Sequence, residues 1–372
     1  MKLILTGGGT AGHVNPAIAI AEAVAEVARE SEFLFIGREG GGENAAVTRA
    51  GIRLATLRVE GLSRSMSPKN IRALWRAVRS TGEAREIIRE FAPDAVLGTG
   101  GYVCWPVLRA ARSLGIPTAI HESNAYPGLV TRMLAGSADL VLVGCGRTLE
   151  NLKPRANTIV VGNPLRRGFG LIGRRAARAR LGIEGGELSV ISFGGSIGAD
   201  KLNRAVIGTM TDERLRAMPI RHIHAVGERY FGEVERENPE LCRGISRRKV
   251  VSYINNMPEE MRAADLVICR AGAMTLSEIE AVGVASILIP SPNVTDDHQR
   301  KNAEVLVREG AAVMIAEGEL TAAGLAAVMR GVLLDGDGRR KMAARASSLA
   351  MPDAGRRIAA ELLRLADRKR QL

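Results

Sequence analysis

Short apolar runs recur along this chain, each followed by a longer stretch whose apolar positions repeat at helical spacing. In the first half the runs are Leu3 to Thr6, Phe33 to Ile36, Ala95 to Gly98, Thr118 to His121, Leu140 to Val143 and Ile159 to Gly162, with Ala17 to Arg29 as the first helical stretch. Strands separated by helices are joined by crossovers and so lie parallel. The pattern restarts with Leu188 to Phe193, Arg221 to Val226, Val250 to Tyr253, Leu266 to Cys269 and Ser286 to Pro290. This predicts an α/β protein of two doubly wound, Rossmann-like domains facing across a cleft, with ligands beyond the carboxyl ends of the strands. Gly162-Asn163-Pro164 ends a strand, and the Arg-rich, acid-free stretch from Arg166 to Leu181 follows it. The expected domains are therefore 1–163 and 164–349, and residues 350–372 hold an amphipathic helix, Pro352 to Arg370, returning to the first domain.

Composition narrows the class. The 372 residues are 46% hydrophobic and 25% charged, as in a folded globular protein of two domains. No run of about 18 apolar residues is present to span a bilayer. The opening MKLILTGGGTAGHV lacks the longer apolar core of a secretory signal, so a cytoplasmic protein is expected. The net charge of +12 raises the question of nucleic acid, but only 8 of the 52 basic residues are Lys and aromatics make up 3%. Stacking platforms and zinc spacings are missing, and no nucleic-acid partner is expected. Cys104, Cys145, Cys242 and Cys269 form no close pair and read as reduced thiols, neither a metal nor a redox site.

The chemistry is concentrated in two glycine loops. LILTGGGTAGHVNPA and LSVISFGGSIGADKLN both read strand, glycine loop, helix, and each offers a helix N-terminus to an anion. Gly7, Gly9 and Gly12 also fit the dinucleotide fingerprint, which requires an acid closing the second strand. Arg38 and Glu39 stand there, a poor ribose ligand set.

From GGGTAGHVNPAIAIA onward the chain resembles the MurG family of glycosyltransferases. Further stretches match in order: Gly98-Thr99-Gly100-Gly101-Tyr102-Val103, His121-Glu122-Ser123-Asn124, Gly162-Asn163-Pro164-Leu165-Arg166, the loop from Gly194 to Ala199, Tyr253 to Met257, Cys269 to Glu278, and His298-Gln299 with Asn302-Ala303. Ala11, Ser123 and Ile197 depart from the usual residues.

The resemblance implies the GT-B fold and inverting transfer of N-acetylglucosamine from UDP-GlcNAc to lipid I, the undecaprenyl-diphosphate-linked muramoyl-pentapeptide, giving lipid II. No cofactor and no metal are implied. The second domain would hold the donor: Ser196 and Arg166 at the diphosphate, Ile254 at the uracil through its main chain, and the helix start from Ala273 through Met274 and Thr275 to Leu276 and Ser277 at the phosphates or sugar. Glu278 would meet the ribose, and Asn124, His298 and Gln299 the sugar. Thr10, Ala11, Gly12 and His13 belong to the acceptor side, with His13 as general base and Glu122 as the other candidate. Glu278 could equally be a solvated helix residue, His298 a loop cap, and Glu122 a loop-orienting carboxylate. Asp335-Gly336-Asp337 imitates a metal motif but reads as a turn.

An acceptor carried in the membrane requires a peripheral enzyme on the cytoplasmic face. Ser67 can cap and Pro68 open a helix in which Ile71, Leu74, Trp75 and Val78 form a stripe flanked by Arg72, Arg76 and Arg79, a pattern suited to an anionic lipid surface. The same stripe would also serve as ordinary core packing. Two other functions stay open at this point: a UDP-GlcNAc 2-epimerase, and a non-catalytic nucleotide-sugar-binding protein.

Overall fold

The computed structural model describes residues 1–42, 44–59, 68–152, 157–166, 168, 169, 172–195, 198–244 and 247–370. The chain divides into two compact units, one formed by Met1–Arg166 with Met351–Leu372, the other by Arg167–Ala350.

The first unit is built on a seven-stranded parallel sheet: β1 (Lys2–Thr6), β2 (Glu32–Arg38), β3 (Arg53–Leu57), β4 (Ala95–Gly98), β5 (Thr118–Glu122), β6 (Leu140–Val143) and β7 (Thr158–Val160). Their order is β3-β2-β1-β4-β5-β6-β7, so it reverses between β1 and β4. Leu3, Leu5, Phe35 and Leu97 point to one face and Ile4, Ile36 and Val96 to the other, and all are wholly buried. Burial on both faces accounts for apolar runs without alternation. One face is closed by the Ala11–Val27 helix and by Ala354–Arg370, whose Ile358, Ala359 and Leu362 enter the same core. The Pro68–Phe91 helix packs on Cys104–Ser113 across the other face, anchored by buried Ala84, Ile88 and Phe91. β3 was not apparent in the sequence, because an edge strand reading Arg-Leu-Ala-Thr-Leu carries too few apolar positions.

The second unit repeats the plan with six parallel strands: β8 (Leu188–Phe193), β9 (Ile220–Ala225), β10 (Arg248–Val251), β11 (Leu266–Cys269), β12 (Ala285–Leu288) and β13 (Val313–Met314). The order is β10-β9-β8-β11-β12-β13, with its reversal between β8 and β11.

The division falls after Arg166 instead of after Asn163, and the Arg-rich stretch is no linker. It contains the Arg174–Arg180 helix, in which Arg174 and Arg178 bond Asp265 at 2.8 and 3.2 Å and Ala177 is buried. Exit and return of the chain meet on the first unit. His121 Nε2 lies 3.1 Å from the Gly162 carbonyl, and Asn163 Nδ2 donates to the Ser123 carbonyl at 3.2 Å. Gly162, at φ +91°, packs against Met351 and Ala354, where a Cβ would sit 2.6 Å from that of Met351. Asp335 caps the Gly336–Leu349 helix by accepting from the Gly338 amide at 2.8 Å, which is what the imitation metal motif does.

Candidate functional site

In each sheet the reversal of strand order opens a crevice at the carboxyl ends of two strands, and the loops leaving those strands carry the residues singled out above.

In the first unit the loops after β1 and β4 are joined. Gly8 N–H donates to the Gly100 carbonyl at 3.2 Å, and Thr99 Oγ1 donates to the carbonyls of Thr6 and His13 at 3.2 and 2.7 Å. Cys104 Sγ donates to the carbonyls of Thr6 and Gly100 at 3.2 and 3.1 Å, and burial pushes its thiol up to about 12. This thiol is a structural donor. Gly101, at φ +89°, lies against the Gly8 carbonyl with no room for a side chain.

The His13 ring rests on Gly100, where a Cβ would approach Cδ2 to 2.6 Å. Its Nδ1 is 2.9 Å from the Gly8 carbonyl and 3.5 Å from Thr10 Oγ1. A carbonyl only accepts, so Nδ1 carries a hydrogen, and in the neutral ring Nε2 then presents its lone pair, the arrangement a general base requires. Thr10 and Gly12 are exposed beside it. Of Ala11 only the main chain is described, as the first residue of the helix.

Glu122 ends β5 with 5% exposure, and both oxygens are engaged. Oε1 accepts from the Asn124 main-chain and side-chain N–H groups, each at 3.0 Å; Oε2 accepts from Gly128 N at 2.9 Å and Thr131 Oγ1 at 2.7 Å. With two donors on each oxygen, the carboxylate is fully hydrogen-bonded within its own loop. Glu122 therefore holds the 123–131 segment in shape, the loop-orienting alternative. Asn124 is tied to it and also accepts from Thr148 Oγ1 through its carbonyl.

In the second unit Ser196 and Ile197 lie outside the described residues, but the flanks of their loop are clear. Gly198 N–H donates to the Gly195 carbonyl at 3.0 Å, and Gly198 adopts φ +82° against the Val226 carbonyl and Tyr230. After β11 the Ala273–Val282 helix begins, its first amides free of intrahelical partners by geometry. Glu278 is 2% exposed in this helix, near the Cys269 thiol, which burial and the Glu278 charge raise. Met274 and Leu276 have buried side chains, and the Leu276 amide donates to the Gly272 carbonyl at 3.0 Å. Leu276 thus turns neither its side chain nor its amide to solvent. Ala273, Thr275 and Ser277 are half-buried at the same end. Ile254 is 4% exposed, so only its main chain can face a ligand.

Arg166 is the last residue of the first unit. The loop before the His298–Arg308 helix places Asp296 and Asp297 at φ +55° and +50°, two consecutive left-handed non-glycine residues that the sequence did not reveal. Beyond them His298 Nδ1 is 2.8 Å from the Thr295 carbonyl, and Gln299 Oε1 accepts from the Ser291 amide at 2.9 Å, which assigns the other amide position to its NH₂ group. Glu39, the misplaced ribose candidate, pairs instead with Arg58 at 2.6 Å.

Of the membrane-facing group, Ser67 and the side chains of Ile71, Arg72, Leu74, Trp75 and Arg76 lie outside what is described, although the helix carrying them is present. Arg79 is exposed and pairs with Glu83 at 3.4 Å. The adjoining surface holds a groove of about 540 Å³ lined by Trp105, Arg109, Arg112 and Met133 among others. Among the described residues no helix is long and apolar enough to cross a membrane.

Residues 3–143 match the glycosyltransferase family 28 N-terminal domain, and residues 189–358 the C-terminal domain of the same family. A relative from Symbiobacterium thermophilum, 39% identical over all of this chain and 98% of its own, is named UDP-N-acetylglucosamine--N-acetylmuramyl-(pentapeptide) pyrophosphoryl-undecaprenol N-acetylglucosamine transferase. The crystal structure of Acinetobacter baumannii MurG superposes with a TM-score of 0.77 at 26% identity, covering 98% of this chain and 99% of that one. A putative UDP-N-acetylglucosamine 2-epimerase from Listeria monocytogenes superposes at 0.65 with 14% identity over 97% and 95% of the two chains, a likeness of fold alone.

Proposed function

The chain belongs to glycosyltransferase family 28, and from that premise we propose that it transfers N-acetylglucosamine from UDP-GlcNAc to the muramoyl sugar of lipid I, releasing UDP and forming lipid II. The observation that carries this reading is the full-length correspondence to a relative of that name, across both units. An epimerase shares only the fold.

The acceptor is assigned to the first unit and the donor to the second. His13 Nε2 takes the proton of the attacking muramoyl hydroxyl as that oxygen bonds to C1 of the sugar, and the C1–O bond to the diphosphate breaks on the opposite side. The α-linked donor therefore gives a β-linked product. Leaving-group charge is met by the amides of the second glycine loop and the Ala273–Thr275 helix start, with Arg166 and Ser196 contributing to it. Glu278 accepts from the ribose hydroxyls, the Ile254 main chain meets the uracil, and Asn124, His298 and the Gln299 NH₂ group read the sugar. The four donors around Glu122 favour His13 as base.

The enzyme acts peripherally on the cytoplasmic face of the plasma membrane, with the Pro68–Phe91 helix against anionic lipid. Support comes from the seven bases and two acids between residues 64 and 89, the full net excess of residues 1–163, and from the neighbouring Trp105 and Arg109, stacked at 4.8 Å.

Incubation with radiolabelled UDP-GlcNAc, with and without a lipid I analogue, tests the activity. Label transferred to the lipid only when the acceptor is present is the expected result; label in an epimerised nucleotide sugar without acceptor overturns it.

A further inference from the structure

The sheet of the second unit carries a polar group that the proposed reaction does not use. Ser192 on β8 stands opposite His224 on β9, and His222 precedes His224 by one alternation, so the three share a face with Val190, Ile220 and Val226 beneath the Asp200–Thr211 helix. All three polar residues are at most 1% exposed. Ser192 Oγ is 2.8 Å from His222 Nε2 and 2.9 Å from His224 Nδ1, and that Nδ1 is also 3.1 Å from the Ser192 carbonyl. The carbonyl fixes the hydrogen of His224 on Nδ1. Ser192 Oγ then accepts from His224 and donates to His222 Nε2. Burial keeps both rings uncharged, lowering His224 to about 4 and His222 well below the usual imidazole range. His224 Nε2 is left as a buried bare acceptor, and among the described residues nothing donates to it.

A second bare acceptor stands one alternation further along. Asn203, 2% exposed, donates through Nδ2 to the Val226 carbonyl at 2.9 Å, which makes the remaining buried atom its Oδ1, also without a donor among the described residues. Val226 follows His224 by two residues, roughly 6 to 7 Å of strand. Two acceptors cannot satisfy one another, and a buried polar atom left unpaired is costly. A small molecule with two hydrogens resolves both at once.

We infer that an internal water molecule donates to His224 Nε2 and to Asn203 Oδ1, and that through it these two residues position the second glycine loop. The Val226 carbonyl held by Asn203 is the one against which Gly198 packs, with no space for a Cβ between them. Were the Asn203 amide to turn over, the Val226 carbonyl would lose its donor. Water on Oδ1 removes that alternative and keeps the base of the loop in one place. The link to the donor rests on the proposed reading of this loop as a diphosphate contact.

Nitrogen NMR of the intact protein labelled at histidine reads the tautomer directly, and diffraction from its crystals at atomic resolution reads the water. The expected results are an unprotonated Nε2 on His224 and a density peak about 2.8 Å from both atoms. A protonated Nε2, or a direct His224–Asn203 bond, overturns the inference. Two variants address positioning. His224→Gln retains an acceptor at the ε position and should leave the KM for UDP-GlcNAc within about twofold, whereas His224→Asn, keeping only the δ donor, should raise it roughly fivefold or more with kcat little changed. Equal KM values for both variants and the unsubstituted protein remove the positioning role. Failure of the unsubstituted protein to bind UDP-GlcNAc would strike the reading of the loop, while the NMR and diffraction results would still stand on their own.

Discussion

At the scale of single residues, the function turns on where lone pairs are left open. His13 is bonded at Nδ1 to the Gly8 carbonyl, with Nε2 the proposed base, whereas each Glu122 oxygen already accepts from two donors. His13→Ala should lower turnover by about 10² to 10⁴ while calorimetry finds UDP-GlcNAc affinity nearly unchanged, since only proton transfer is lost. Near-normal turnover would return the role to Glu122 or to an unassisted hydroxyl. Burial of His224 and Glu280 gives the second unit opposing pH dependences, which offset one another between about pH 4.5 and 6.5. His224 is lowered from 6.5 to about 4, so the unfolded chain takes up the proton first, and its contribution, up to about 3 kcal/mol, is complete above pH 6.5 and lost as pH falls toward 4. Burial raises Glu280 from 4.5 to about 8; its contribution is complete below pH 4.5 and lost as pH rises through 8. Urea titrations from pH 4 to 9 should show Glu280→Gln removing the decline of stability between pH 4.5 and 8 while leaving the loss toward pH 4 in place. Neither effect was legible beforehand. His222 and His224 alternate with Ile223 and Arg221 like the polar face of a half-exposed strand, and only the helix packed over the sheet reveals that the histidine face is the buried one, with Arg221 and Ile223 half-buried on the other.

At the scale of elements, the loops matter more than the strands they join. Both glycine loops and their helices were readable from the sequence, because a glycine run between an apolar strand and a helical stretch has few other uses. What could not be read was the reason for each glycine. Gly198 is required by the Val226 carbonyl, a contact 28 residues away in sequence that only the β8–β9 pairing creates. Gly198→Ala should cost about 2 kcal/mol or more, through the left-handed backbone and the overlap together, and weaken donor binding. A variant with unchanged melting and unchanged UDP-GlcNAc affinity would mean that the loop relaxes freely. The left-handed Asp296–Asp297 pair escaped sequence reading because neither residue is glycine, the usual signal for that conformation. β13 escaped it because two residues make no pattern. The acid-free stretch after Arg166 hides its helix for the opposite reason: Arg174 and Arg178 find their carboxylate partner, Asp265, far along the chain.

At the scale of the molecule, two units share one architecture. The charge of the first is concentrated near the Pro68–Phe91 helix, whose amphipathic stripe was legible, although the sequence could not say how much of the helix serves the core. Its later turns do, through Ala84, Ile88 and Phe91. Replacing Arg72, Arg76 and Arg79 with Glu should release the protein from anionic vesicles and slow transfer to a full-length lipid acceptor, yet spare transfer to a short-chain soluble analogue. Equal losses with both acceptors would assign these residues to the acceptor pocket or the fold; undiminished vesicle binding would move the membrane contact elsewhere.

The return of the chain also sets an order of manufacture. Ile358, Ala359 and Leu362 complete a core that otherwise consists of residues from the first half of the sequence, against Val14, Ile20, Val24 and Leu140. During synthesis that core waits, one wall open, until residues 354–370 have been translated, while everything from Arg167 to Ala350 is already available to fold as a self-contained unit. The half made first is thus the half finished last. A ribosome stalled before Met351 would carry a mature second unit tethered to an incomplete first one, exposing apolar surface to chaperones for the whole interval.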